Sequence, residues 1–329
     1  MAAAIEDAVA ALEEKPPVDP EPEPPVDEKV EVTRIFGANR YETAYRVADV
    51  LKHKLGVDLF DAVVVATGED FADALAGSYL AAVKNAPILL VKEKAEYVEM
   101  LHEYIRENLE PDGTIYILGG EAVVPESVQN IDGYVVKRLA GNNRYETNIK
   151  ILKEAGITGN EIIVATGKAY ADSLSASATG LPILLINPKK SLNDDQKTIA
   201  DQAEKIYVVG GEDAVNEEIE ASLAILSPVE RVAGEDRYKT SVAVAKTFFG
   251  TVENAVVASG KNFPDGLCGG PLAAAMNAPL ILTADGKTET AAGYMAENGI
   301  ASGFVLGGTG AILDDSVKEV FGTDVNMVE

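Results

Sequence analysis

Ten residues written three times over limit what this chain can fold into. Arg34-Ile-Phe-Gly37-Ala-Asn-Arg40-Tyr41-Glu-Thr43 returns as Arg138-Leu-Ala-Gly141-Asn-Asn-Arg144-Tyr145-Glu-Thr147, and again as Arg231-Val-Ala-Gly234-Glu-Asp-Arg237-Tyr238-Lys-Thr240. The offsets, 104 residues (138 − 34) and 93 residues (231 − 138), suit domains rather than solenoid turns, so each copy has enough chain to bury its own core. Of the two or three domains that 329 residues allow, the repeat selects three.

Each signature opens a helical pattern, with apolar positions such as Tyr41, Ala44, Ala48 and Leu51 on one face. A continuous apolar run follows: Ala62 to Gly68, Ile162 to Gly167, and Ala255 to Gly260. Without polar alternation, such runs predict strands buried on both faces, as in parallel sheets. Phe71-Ala-Asp73-Ala-Leu75, Tyr170-Ala-Asp172-Ser-Leu174 and Phe263-Pro-Asp265-Gly-Leu267 then open helices rich in small residues, which allow close helix approach. A second strand begins after a proline, at Ile88, Ile183 and Leu280. A helix near 95–108 (193–203 and 288–298 in the other copies) leads to a strand ending in Gly-Gly, at 119–120, 210–211 and 307–308. A short helix and a strand ending in Arg138 or Arg231 feed the next copy, and after Phe321 there is chain for one edge strand. The alternation predicts an α/β fold of three tandem Rossmann/flavodoxin-like doubly wound parallel-sheet units. The predicted divisions are 30–133, 134–227 and 228–329, preceded by 1–29.

In such a sheet every strand-to-helix turn emerges at the carboxyl edge, where open α/β sheets bind ligands. The recurring polar residues all fall in these turns, so each copy is expected to bring two arginines, an aspartate and glycine amides to one rim. Guanidinium groups match phosphate or carboxylate, and a carboxylate accepts sugar hydroxyls. The pairs Arg40 with Asp73, Arg144 with Asp172 and Arg237 with Asp265 read equally as salt bridges docking one unit on the next. Tyr41, Tyr145 and Tyr238 read as helix-core residues, and the glycine pairs as tight turns. Gly-x-x-Phe-x-Asp makes a poor phosphate loop, because a carboxylate already occupies the helix start.

With 28 basic against 53 acidic side chains, a net charge of −25 argues against a nucleic acid partner. Any anionic ligand has to be met by local arginines or bridging cations. One cysteine, Cys268, forms no intrachain disulfide, and no Cys/His spacing suggests a metal site. His53 and His102 both lie in the first copy, so chemistry common to all three does without histidine. Neither a dinucleotide-binding Gly-x-Gly-x-x-Gly nor a phosphate loop nor a Gly-x-Ser-x-Gly elbow is present. A sugar-phosphate or nucleotide enzyme therefore rests on fold analogy alone, and a ligand-free spacer is a third reading. No apolar run is long enough to span a membrane, and the acidic start lacks the basic region of an export signal.

Ahead of the repeats, Ile5, Val9 and Leu12 mark a short amphipathic helix, and residues 16–28 hold six of the fifteen prolines among acidic side chains. That composition predicts a semi-rigid linker, with another domain or an export segment once attached upstream, or equally a disordered tail of no consequence.

Together the ordered motifs Arg-x-x-Gly-x-x-Arg-Tyr, Ala-Thr-Gly-x-x-Phe-Ala-Asp-Ala-Leu, Pro-Ile-Leu-Leu and Tyr-Ile-Leu-Gly-Gly resemble the cell wall binding type 2 repeat of clostridial surface-layer and cell wall proteins, over residues 30 to 322. The resemblance implies three repeats in a pseudo-threefold arrangement. It also implies secretion to the cell surface and non-covalent anchoring, without catalysis or cofactor, to an anionic cell wall polysaccharide. It carries a polymer-contacting set onto Arg34, Arg40, Asp73, Arg138, Arg144, Asp172, Arg231, Arg237 and Asp265. The third copy departs from the pattern: Pro264 replaces alanine, Leu280-Ile281-Leu282 replaces Ile-Leu-Leu, and Thr309 stands where Glu121 and Glu212 stand earlier.

Overall fold

The repeated signature is a strand end, a cap and a helix start. Asn39, Asn143 and Asp236 each accept from two backbone amides of the following turn, the donors a helix leaves unpaired. Thr43, Thr147 and Thr240 reach back to accept from the amides of Gly37, Gly141 and Gly234 at 3.1, 3.0 and 3.0 Å. A Cβ on Gly37 would lie 2.3 Å from Glu42 Cβ, so the tight entry excludes side chains there. Gly68, Gly167 and Gly260 are flattened against the rings of Tyr41, Tyr145 and Tyr238.

The computed structural model describes residues 31–157, 161–300, 302–322 and 326–328. The predicted helix over 5–15 and linker over 16–28 lie outside the described residues. The chain runs β1 (Glu31–Ile35), α1 (Arg40–Leu55), β2 (Phe60–Thr67), α2 (Ala72–Ala76), α3 (Ser78–Val83), β3 (Ile88–Val91), α4 (Ala95–Asn108), β4 (Leu109–Leu118) and β5 (Val135–Leu139). The second copy follows as α5 (Arg144–Ala155), β6 (Glu161–Thr166), α6 (Ala171–Ala176), β7 (Ile183–Ile186), α7 (Asp194–Asp201), β8 (Lys205–Val209), α8 (Glu217–Ala224) and β9 (Val229–Val232). The third comprises α9 (Arg237–Phe248), β10 (Asn254–Ser259), α10 (Gly269–Ala275), β11 (Leu280–Thr283), α11 (Glu289–Asn298), β12 (Ser302–Leu306), α12 (Asp314–Phe321) and β13 (Asn326–Val328).

Three parallel sheets result, ordered β3-β2-β4-β5, β7-β6-β8-β9 and β11-β10-β12-β1-β13. The order is that of a flavodoxin-like doubly wound unit, with the switch point between the first and third strands of each. The strands that carry Arg138 and Arg231 therefore close the sheet of the copy before them, although the sequence divisions at 134 and 228 assign them to the copy after. By the same rule β1 has no preceding copy and inserts into the third sheet, parallel to β12 and β13. The ring is closed by the first strand among the described residues. Val32 is consequently 0% exposed, whereas Val136 and Val229, its counterparts on the outer strands β5 and β9, are half-buried.

The inner edge strands β3, β7 and β11 are buried under helices of their own and neighbouring copies. Asn148 of α5 donates to Ile183 O (2.8 Å) and accepts from Leu185 N (2.9 Å), completing the free edge of β7. Close approach of the small-residue helices is visible at Gly77, where a Cβ would lie 2.3 Å from Leu118, and at Gly270, where it would lie 2.6 Å from Ser177 Oγ of another copy. In the third copy the expected helix at Asp265 is a series of turns, and α10 starts only at Gly269. Gly266 and the Gly269-Gly270 pair remove the helical preference that alanine and leucine supply in the first copy.

Phe71, Tyr170 and Phe263 meet in a triangle, with centroid separations of 6.1, 5.8 and 5.5 Å and interplanar angles of 62°, 62° and 60°. Mutual tilts near 60° are what a threefold axis through three equivalent rings produces. Edge-on aromatic contacts of this kind add about 0.5–1.5 kcal/mol each beyond buried area.

Candidate functional site

The first arginine of each signature is turned onto the protein itself. Arg34, 3% exposed, donates through Nη1 to Gly307 O (2.8 Å) and through Nη2 to Ile312 O (3.1 Å) and Asp314 Oδ1 (2.7 Å). Arg138 donates to Gly119 O and Val124 O, both at 2.9 Å, and Arg231 to Gly210 O (2.7 Å), Val215 O (2.8 Å) and Glu220. These three side chains pin the glycine turn at the end of the neighbouring strand. Their terminal nitrogens are committed to protein acceptors.

The second arginine sits at the mouth of the junctions. Arg40, Arg144 and Arg237 each use Nη1 to hold the carbonyl of the glycine ending the next strand, Gly68 (2.6 Å), Gly167 (2.8 Å) and Gly260 (2.7 Å). Arg144 and Arg237 stack over the rings of Phe71 and Tyr170, both 5.3 Å from the centroid, so each lies over the preceding copy's aromatic residue.

Each aspartate is met by the arginine of the following copy rather than its own. Arg144 faces Asp73, Arg237 faces Asp172 and Arg40 faces Asp265. This corrects the pairings expected from sequence. The reason is the strand exchange: a signature whose strand completes the preceding sheet starts its helix over that sheet's switch point. Among the described residues none of the three pairs closes into a salt bridge; Arg144 instead takes Asp70 Oδ2 at 2.8 Å.

The aspartates are held against backbone. Gly119, Gly210 and Gly307, with φ of +99°, +114° and +97°, lie so near Asp73, Asp172 and Asp265 that a Cβ would come within 2.7, 2.5 and 2.7 Å of the respective Oδ2. Asp73 is 9% exposed and its Oδ1 has no hydrogen-bond partner. Burial pushes its carboxyl up to about 6, with Asp70 adding and Arg144 opposing. Burial likewise raises Asp172 to about 6 against the pull of Arg237, and raises Asp265 against a hydrogen bond from Thr43 and the charge of Arg40. Gly119→Ala is expected to destabilise the fold by about 1–3 kcal/mol, through a strained φ and a forced shift of Asp73, visible as a lower urea midpoint with an unchanged slope.

Open clefts lie at two of these junctions. One, of about 370 Å³, is lined by Gly37, Asn39, Arg40, Asn262, Asp265 and Gly308 among others. Its counterpart between the second and third copies, about 630 Å³, includes Asp172, Glu212, Asp213, Glu235 and Arg237. The arrangement offers a cation and a part-buried acceptor side by side, suited to a charged and hydroxylated ligand. The single thiol, Cys268, is buried and raised well above its ordinary value by desolvation. His102 is fixed in the first copy by donating Nε2–H to Val128 O at 3.1 Å. Among the described residues no group of three or more His, Cys, Asp or Glu side chains is placed to hold a metal ion, and no helix is long and apolar enough to cross a membrane.

Sequence reasoning did not assign the aromatic triangle or Asp70. The triangle had a signal, an aromatic residue two positions before each aspartate; Asp70 had none, since Ala169 and Asn262 replace it in the other copies.

The family profile described as cell wall binding domain 2 (CWB2) matches residues 34–129, 138–220 and 231–318. The chain is 30% identical over 294 residues to N-acetylmuramoyl-L-alanine amidase LytC of Bacillus subtilis (strain 168), covering 85% of this chain and 56% of that protein. It is 29% identical over 265 residues to the amidase enhancer of the same organism, covering 79% and 36%. The chain thus spans little more than half of one curated relative and about a third of the other. Among solved structures, Cwp8 from Clostridium difficile superposes with a TM-score of 0.78 at 26% identity, over 88% of this chain and 51% of that one. Cwp6 from Clostridium difficile gives 0.77 over 95% and 51%, and at 24% identity is a likeness of fold.

Proposed function

Because the chain belongs to the cell wall binding domain 2 family, we propose that it is a non-catalytic anchoring module that holds a surface protein on the bacterial wall by gripping an anionic wall polymer at the junctions between its copies. One observation carries this reading: Arg40, Arg144 and Arg237 each stand at an inter-copy junction facing an aspartate of the neighbour, buried at Asp73 and part-buried at Asp172 and Asp265. In this reading the guanidinium takes a phosphate or carboxylate of the polymer, and the aspartate accepts a sugar hydroxyl. Arg34, Arg138 and Arg231 serve the site by fixing the glycine turns. Repetition supports anchoring over catalysis, since weak sites on one polymer add by avidity once the first is engaged. The amidase named among the relatives is nearly twice as long as the matched region, which fits a separate effector fused to this module and exported with it.

The test is retention on purified Gram-positive walls before and after acid removal of the secondary polymer. Retention is expected to vanish on stripped walls; equal binding to both would refute the proposal. Replacing Arg40, Arg144 and Arg237 together by Gln is expected to cut retention by more than about 10-fold, because several linked charge-assisted contacts are lost at once.

A further inference from the structure

The three junctions differ in charge, and the difference singles out one of them. Between the first and second copies, Arg144 is already neutralised by Asp70 at 2.8 Å; Glu69, next in the chain to that acid, lies instead by Tyr41 outside the lining of the ring-closing cleft. The cleft between the second and third copies is lined by the carboxylates of Asp172, Glu212, Asp213, Glu235 and Asp236. Only Arg231 and Arg237 oppose them, and Arg231 is paired with Glu220 at 2.5 Å. An anion entering there meets net repulsion. The cleft between the third copy and the start of the first is otherwise. Asp265 is its one lining carboxylate and Arg40 its one lining cation; Asn262 stands in place of Asp70, and Thr309, between lining Gly308 and Gly310, in place of Glu121 and Glu212. Arg40 is held only by its Nη1 bond to Gly68, so among the described residues its Nε and Nη2 make no hydrogen bond.

We infer that the ring-closing junction, with Arg40 from one end of the chain and Asp265 from the other, is the principal subsite for a phosphate-bearing segment of the polymer. The other two junctions act as weak secondary contacts. This rests on the anchoring reading and specifies where its anion goes. The departures of the third copy from the repeat pattern then become what permits binding: of the two open clefts, the one without an acid at 309 is lined by a single carboxylate, although the Nε and Nη2 of Arg237 in the other are as unbonded as those of Arg40. The subsite also exists only when β1 is seated in the third sheet, because that strand delivers Arg40 to Asp265.

The experiment compares single variants of the full chain on polymer-bearing walls, with a titration of inorganic phosphate followed by the amide shifts of residues 37–40 and 308–311. Arg40→Gln is expected to weaken retention about tenfold, the worth of one charge-assisted hydrogen bond, and Arg144→Gln and Arg237→Gln less than about threefold. Thr309→Glu supplies the same test without touching the fold: the position is exposed, the melting temperature is expected to hold, and retention is expected to fall about as far as in Arg40→Gln. Asp70→Asn, which frees Arg144, is expected to raise retention. Equal losses for the three arginine variants, or full retention by Thr309→Glu, would overturn the inequality of the sites. Full retention by all three arginine variants would instead remove the arginine-based reading on which it stands.

Discussion

Val32→Asp is expected to unfold the third unit, while Val136→Asp and Val229→Asp, at the equivalent point of the motif, leave folded protein. All three valines sit two residues before the first arginine, yet β1 lies between β12 and β13 whereas β5 and β9 are outer strands. A carboxylate at the fully buried Val32 has neither water nor partner and costs on the order of 4 kcal/mol or more. Unseating β1 also releases Arg34 from Gly307, Ile312 and Asp314. Against a domain stability of about 5–15 kcal/mol, the combined loss removes most of what holds that unit. Thermal unfolding should show a low-temperature phase in Val32→Asp alone, with early proteolysis confined to residues beyond about 250. A single unshifted transition would mean that β1 contributes little to closure.

Asp73→Asn with Asp172→Asn is expected to stabilise the protein at pH 7.5. Both carboxyls are pushed up to about 6 by burial, from an unfolded value near 3.8. A raised folded pKa means the native state binds more protons than the unfolded chain between about pH 4 and pH 6, so stability falls as pH rises through that window and stays low above it. Each carboxylate then costs on the order of 2–3 kcal/mol at neutral pH. Melting temperatures of the double variant should exceed wild type by several degrees at pH 7.5 and converge with it near pH 4. An unchanged pH profile would show the carboxylates better solvated than their position against Gly119 and Gly210 implies. Loss of wall retention in the same variant would fit two acids kept for ligand binding at a cost in stability.

Most of the architecture could be read from the chain because three copies check one another. A continuous apolar run such as Ala62 to Ala66 is ambiguous once, but its recurrence between the same neighbours fixes it as a buried strand. The strand exchange could not be read. Val135 to Leu139 has the same pattern whether it ends one sheet or begins another, since parallel strands ask the same of both faces. That ambiguity propagated to the site, pairing each arginine with the aspartate of its own copy instead of its neighbour's. It also hid the division of labour between the two arginines of the signature, which differ by burial and not by residue type. The aromatic triangle needed three side chains separated by about a hundred residues each to meet on one axis, information that belongs to the assembly of copies and not to any of them.

The seating of β1 has a directional consequence. β1 runs parallel to its neighbours, from Glu31 at the amino edge of the third sheet to Ile35 at the carboxyl edge where the arginine-bearing turns lie. β1 therefore enters its sheet at the edge opposite the clefts, and β13, parallel to it, ends at the edge that carries them. If the clefts meet the wall, the amino end of β1 points away from it and the carboxyl end of β13 points towards it, so the two ends of the ring stand at unequal distances from the polymer.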